Sequence, residues 1–170
     1  MQQCAKIRKW LRHEELFSVS FTIKNSYAMS LWKKPISLAG INAAAANTAI
    51  AHLGIEFTEI GDDYLVARVP VDTRTCQPLG LLHGGVSVVL AETLGSVGAV
   101  YAAPEGWIAL GLEINANHLR AVRSGWVTGT ARPVHVGRST QVWQIELVDE
   151  AGFKTCTSRI TMAIIPQKSP

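Results

Sequence analysis

Two neighbouring features of this chain could act on a carbonyl group. One is the stretch QPLGLLHGG, from Gln77 to Gly85, and the other is Glu92, the only acid in the apolar run from Val86 to Ala103. Gly84 and Gly85 carry no side chains, so backbone N–H groups there stay accessible, and a helix starting at them favours negative charge. An oxyanion site needs those properties, because a carbonyl oxygen gains charge under attack. The same glycines also suit a tight loop-to-helix turn. Gln77 can donate its amide to the carbonyl or close the loop. His83 can orient the loop through a ring N–H, transfer a proton, or fill a core position.

Glu92 lies among Val88, Val89, Leu90, Ala91 and Leu94. Burial there would disfavour its charged form and make it a stronger base once ionised; the alternative is a carboxylate facing solvent. Ser96, four residues on, would share its face and hydrogen-bond it. A carboxylate with an oxyanion site is suited to attack on an activated carbonyl. A thioester fits best, since its leaving group needs little protonation and no metal. GxSxG, P-loop, GxGxxG and HExxH signatures are absent, and no metal ligand set is expected.

These residues need a helix to position them. Val86, Val89, Leu90, Thr93, Val97 and Val100 recur at three- and four-residue spacing with no proline before Pro104, which predicts a long helix. Gly85, Ala91, Gly95, Gly98 and Ala99 weaken a helix and are tolerated where another backbone approaches closely. A sheet wrapped around the helix supplies that reason. Before it, Ser37 caps a helix over Leu38 to Ala49, and strands are expected at 55–60 and 64–71. After it, period-two patterns predict strands at 107–119, 125–131, 139–148 and 153–164. The fold class is α+β, an antiparallel sheet with one face covered by the helix.

Composition narrows the function further. The chain has 170 residues, 48% of them hydrophobic and 17% charged, enough for one domain with a real core. A net charge of +3 does not announce a nucleic-acid binder. Between Glu113 and Glu146 there is no acid, while Arg120, Arg123, Arg132 and Arg138 fall there with His118 and His135, so an anionic ligand is expected beside solvated surface charge. Three cysteines without paired spacing suit free thiols in a reducing, cytoplasmic setting. Residues 1–28 read as an extension, 29–165 as the domain and 166–170 as a tail. The basic start of the extension is broken by Glu14 and Glu15 and predicts no cleaved signal. No window reads as long and apolar enough to cross a membrane.

The runs QPLGLLHGGVSVVLAETLGSVG, GLEINANHLRAVRSG and HVGRSTQVWQIELVDEAG resemble the hotdog-fold acyl-CoA thioesterases of the PaaI type and the related 4-hydroxybenzoyl-CoA thioesterases. Within these they are most similar to the hydrolases of 1,4-dihydroxy-2-naphthoyl-CoA in menaquinone synthesis. The sister branch clears misloaded aryl-carrier protein in enterobactin synthesis. The resemblance covers Leu31 to about Ile165. It implies a sheet curled round one long helix, Glu92 as catalytic base or nucleophile, the Gly84 N–H as carbonyl-polarising donor, Gln77 beside that carbonyl, His83 in the motif and Ser96 supporting the carboxylate. It places coenzyme A, part of the substrate and not a separate cofactor, over His118 and Arg120 and over Gly137, Arg138 and Ser139. A noncatalytic acyl-CoA binding module is the alternative of another class.

Helix geometry bears on how many chains make one site. At about 1.5 Å rise per residue, Glu92 lies roughly 12 Å beyond Gly84 along the axis, while both must come within roughly 3 Å of one reacting group. Two antiparallel copies of the helix would place Glu92 of one protomer opposite Gly84 and Gln77 of the other. A homodimer is therefore the expected minimal active unit, assembling further to a homotetramer.

Overall fold

The computed structural model describes residues 30–167; the extension expected over 1–28 lies outside them, as do residues 168–170 of the tail. The order of elements is α1 (Leu38–Ala44), α2 (Ala49–His52), β1 (Glu56–Ile60), β2 (Leu65–Pro70), α3 (Gly84–Ala102), β3 (Trp107–His118), β4 (Trp126–Val136), β5 (Thr140–Asp149) and β6 (Lys154–Pro166). All six strands join one sheet in the order β1-β2-β4-β5-β6-β3, with every neighbouring pair antiparallel. Helix α3 packs across β2 to β6 on one face, giving the α+β arrangement expected from the order of elements.

Three expectations change. The single helix over 38–49 is two short ones, because Asn47 takes a left-handed φ of 60° and the Thr48 side chain accepts the Ile50 N–H to cap a new start. Strand β4 runs on past Ala131 to Val136 despite Pro133. Its pairing with β2 ends at Ala131, and a bulge at Pro133/His135 interrupts only the β5 ladder, so a residue without an N–H is tolerated there. The membrane expectation also needs correction: α3, at 19 residues, is long and apolar enough to cross a bilayer by length and composition. Half of its apolar window is buried within the chain, however, as in a core helix.

The buried face of α3 shows the close approach expected at its small residues. Ser87, Leu90, Ala91, Thr93, Leu94, Gly95, Gly98, Ala99 and Ala102 face the sheet, whereas Val86, Val89, Val97 and Val100 are only half-buried. Small residues mark the contact because the helix lies so close. A Cβ on Gly95 would stand 2.4 Å from Ile160 Cγ2, and one on Gly98 would stand 2.8 Å from Trp143 Cη2. Trp143 cannot yield easily: it is fully buried, its indole N–H donates to Gln141 Oε1 at 3.0 Å, and its ring stacks on Trp32 at 6.3 Å. Gly98→Ala is therefore expected to destabilise the fold by roughly 1–3 kcal/mol, the usual cost of overpacking a tight core. A lowered urea midpoint with unchanged slope would report it.

Strand β3 occupies one edge and pairs only with β6. It presents Leu110 and Leu112 at 49% and 64% exposure, an unusual edge for a free strand of 12 residues.

Candidate active site

His83 stands immediately before α3 as its N-cap, and its Nδ1 accepts the Gly85 N–H at 2.9 Å. The ring atom nearest the helix is thus an acceptor, which leaves Nε2 as the position for a ring N–H. Gly85 must be small for this cap, because a Cβ there would stand 3.0 Å from His83 Nδ1. The His83 carbonyl takes the N–H groups of Val86 and Ser87 at 2.9 and 3.2 Å. The loop before the helix is held by Leu82 N–H to the Val122 carbonyl at 2.8 Å and His83 N–H to the Thr75 carbonyl at 2.9 Å. Of the four N–H groups that open the helix, Gly84 alone has no partner among the described residues.

Gly84 lines a recess of about 380 Å³ together with Gln77, Leu82, Ser87, His118, Arg120 and Thr155 among others. Gln77 Oε1 accepts the Leu79 N–H, which fixes the amide orientation and leaves its NH₂ group to donate. His118, at the end of β3, reaches so near the helix start that a Cβ on Gly84 would stand 3.0 Å from its Nε2. Glycine at 84 therefore serves both access and close packing. Thr155 Oγ1 is a buried hydroxyl without a partner among the described residues. Ser87 and Thr155 were not singled out in the sequence. Ser87 sits inside the helix run, and Thr155 comes from β6, with no local pattern to mark either. The arrangement can receive a carbonyl oxygen between one backbone and one amide donor, with cationic and imidazole groups beside the rest of the ligand.

The other expected residues lie elsewhere in the chain. Glu92 is exposed, which corrects the expectation of burial. The side chains that seemed to surround it face other directions, and Glu92 extends over the edge strand, where its Oε1 lies 3.3 Å from the position of a Cβ on Gly111. Ser96 does not hydrogen-bond it; the Ser96 hydroxyl lies 3.9 Å from Met162 Sδ. Ser96 also borders an apolar recess of about 280 Å³ with Ile41, Phe57, Val97, Val100 and Tyr101. Gly137 and Arg138 line a third recess of about 550 Å³ with Lys33, Ala102 and Trp107, at the C-terminal end of α3. Ser139 joins them in the β4–β5 loop, its carbonyl taking the Ile164 N–H at 2.9 Å. The residues expected over coenzyme A thus divide between the two ends of the helix. His118 and Arg120 sit at its start, and Gly137, Arg138 and Ser139 sit at its end.

Comparison with known proteins gives a consistent family. Residues 79–156 match the model of the thioesterase superfamily. The proofreading thioesterase EntH of Cronobacter turicensis is 49% identical over 135 residues, covering 79% of this chain and 98% of that protein. The solved thioesterase of Haemophilus influenzae is 50% identical with a TM-score of 0.80, covering 82% of this chain and 97% of that one. A solved mutant thioesterase of Pseudomonas aeruginosa is 48% identical with a TM-score of 0.79, covering 81% and 99%.

Proposed function

This chain belongs to the thioesterase superfamily and is a thioester hydrolase of the hotdog fold, and we propose that it cleaves aromatic acyl thioesters of a phosphopantetheine arm across a two-chain site. The observation that carries this reading is a recess lined both by Gly84, whose N–H has no partner among the described residues, and by Gln77, whose amide NH₂ is left to donate. The thioester carbonyl oxygen binds between those two donors, which stabilise the oxyanion formed on attack. Glu92 of the partner subunit, on an antiparallel copy of α3, either takes a proton from the attacking water or adds to the carbonyl itself. In the first route hydroxide adds to carbon, the tetrahedral intermediate collapses, and the C–S bond breaks. In the second an anhydride forms with loss of thiolate and is then hydrolysed. The thiolate leaves without a general acid, because a thiol is far more acidic than an alcohol and its anion needs little protonation to depart.

The exposed edge of β3 supports the pairing of two chains, since no further strand of the described residues pairs with it and Glu92 lies against that strand. Antiparallel helices would bring the partner's Arg138 end towards the recess of this chain, reuniting the groups that a single chain separates. They would also extend the acyl group along the Glu92 helix to the apolar recess around Val97 and Tyr101, suited to an aromatic ring. A homotetramer of such dimers in the cytoplasm completes the reading.

Likeness to a proofreading thioesterase favours an aryl group on a carrier protein as the substrate. The resemblance to the menaquinone branch favours 1,4-dihydroxy-2-naphthoyl-CoA as the second reading. Release of free thiol from benzoyl-, 1,4-dihydroxy-2-naphthoyl- and straight-chain acyl-CoA, and from misloaded aryl-carrier protein, separates them. Aromatic acyl groups are expected to turn over at least roughly tenfold faster than straight-chain ones, the discrimination available to an apolar pocket. Carrier-bound aryl thioester is expected to exceed the naphthoyl-CoA in kcat/KM. Equal rates on aliphatic substrates would refute the aromatic reading, and binding without thiol release would favour the noncatalytic alternative.

A further inference from the structure

Three arginines of the described chain stack on aromatic rings: Arg68 over Trp126 at 4.1 Å, Arg132 over Tyr64 at 4.3 Å and Arg120 over Phe153 at 4.2 Å. The first two are also neutralised, Arg68 by Glu56 and Arg132 by Asp63, each at 2.6 Å. Arg120 has no carboxylate partner among the described residues. Its guanidinium is oriented by a ring but keeps its hydrogen-bond donors for something else, and it lines the recess that contains Gly84 and Gln77.

Phe153 is well placed to hold it. The residue lies in the turn before β6, and an aromatic ring 52% exposed in such a turn serves no core. Its backbone is nevertheless fixed: the Phe153 N–H donates to Asp149 Oδ1 at 2.8 Å, and its carbonyl accepts the Asp149 N–H at 3.0 Å. Two residues on, the Thr155 carbonyl takes the N–H groups of Leu119 and Arg120 at 2.8 and 3.2 Å. The same short segment therefore holds Arg120 twice, by its backbone and by its side chain. A flexible arginine ordered in advance loses less freedom on binding a phosphate.

We infer that Phe153 is a positioning residue that holds the Arg120 guanidinium at the mouth of the recess to receive a phosphate of the substrate's pantetheine arm. The inference rests on reading that recess as the thioester site. The phosphate chemistry is shared by coenzyme A and by a carrier protein's prosthetic arm. The role assigned to Phe153 lies in binding and not in the chemical step.

The test compares Phe153→Leu, Phe153→Trp and Arg120→Ala on one aromatic acyl group carried by coenzyme A, by a carrier protein and by pantetheine without phosphate. Phe153→Leu is expected to raise KM on the phosphorylated substrates roughly twofold to fivefold, the size of an exposed cation–π contact, with kcat unchanged. Phe153→Trp should restore KM, and pantetheine thioesters should show no change. An effect on both phosphorylated carriers supports the inference, whereas one confined to coenzyme A assigns the contact to its additional phosphates and overturns it. If Arg120→Ala raises KM and Phe153→Leu does not, the inference about Phe153 fails while the reading of the recess stands. If neither variant raises KM, the phosphate does not bind at this mouth, and that reading fails with the inference. An equal KM rise on unphosphorylated pantetheine also overturns it.

Discussion

Glu92→Gln is expected to lower turnover by roughly 10²–10⁴-fold, the range lost with a general base, while the melting temperature stays where it was. The two halves of that expectation have different physical sources. Glu92 is exposed and extends over Gly111, so the substitution removes charge without opening a cavity or stranding a buried partner. Surface changes of this kind usually stay within about 0.5 kcal/mol. The amide nevertheless cannot accept a proton from water or attack a carbonyl. If the carboxylate acts only on the chemical step, kcat and kcat/KM should fall together. A stopped thiol-release assay beside a thermal melt checks both. Near-normal turnover would remove Glu92 from the chemistry, and a large drop in melting temperature would assign it a structural role that its exposure does not suggest.

Activity is expected to reappear when an impaired Glu92→Ala chain is mixed with an impaired Gln77→Ala chain under conditions that exchange protomers. A site shared between antiparallel helices draws Glu92 from one chain and Gln77 with Gly84 from the other. A mixed dimer then has one doubly impaired site and one intact site. Statistical exchange should restore about a quarter of wild-type sites, a large rise from two impaired parents. Differently tagged chains verify that mixed dimers form. If verified mixed dimers stay inactive, Glu92 and Gln77 serve the same chain's site, and the roughly 12 Å between Gly84 and Glu92 along one helix must be bridged in some other way.

Local chemistry was readable in the sequence, and the direction in which side chains face was not. The His-Gly-Gly step marks a helix start because both the cap and the close approach of His118 demand glycine, and those demands act over one or two residues. The contact stripe of Ala91, Gly95 and Gly98 was legible because, where a sheet sits this close, size decides which residues meet it. The exposure of Glu92 was not, since its neighbours in sequence are not its neighbours in space. Thr155 reaches the recess from β6, and Phe153 reaches Arg120 from the turn before it, through pairing set across the whole sheet. The strand expected to end at Ala131 runs on through Pro133, because the early finish of β2 makes room for it.

The unequal faces of α3 carry a consequence for how such a protein can change over generations. Mutations on the stripe of Ala91, Gly95, Gly98 and Ala102 meet the sheet and threaten folding. Val97 and Val100, one and two turns past Glu92, are only half-buried and border the 280 Å³ apolar recess. Drift at those two positions can reshape the space offered to an acyl group while the helix stays seated on its sheet. Substrate range can therefore be remodelled at little cost in stability, which lets closely related copies of one gene part company by changing a few side chains on the outer stripe.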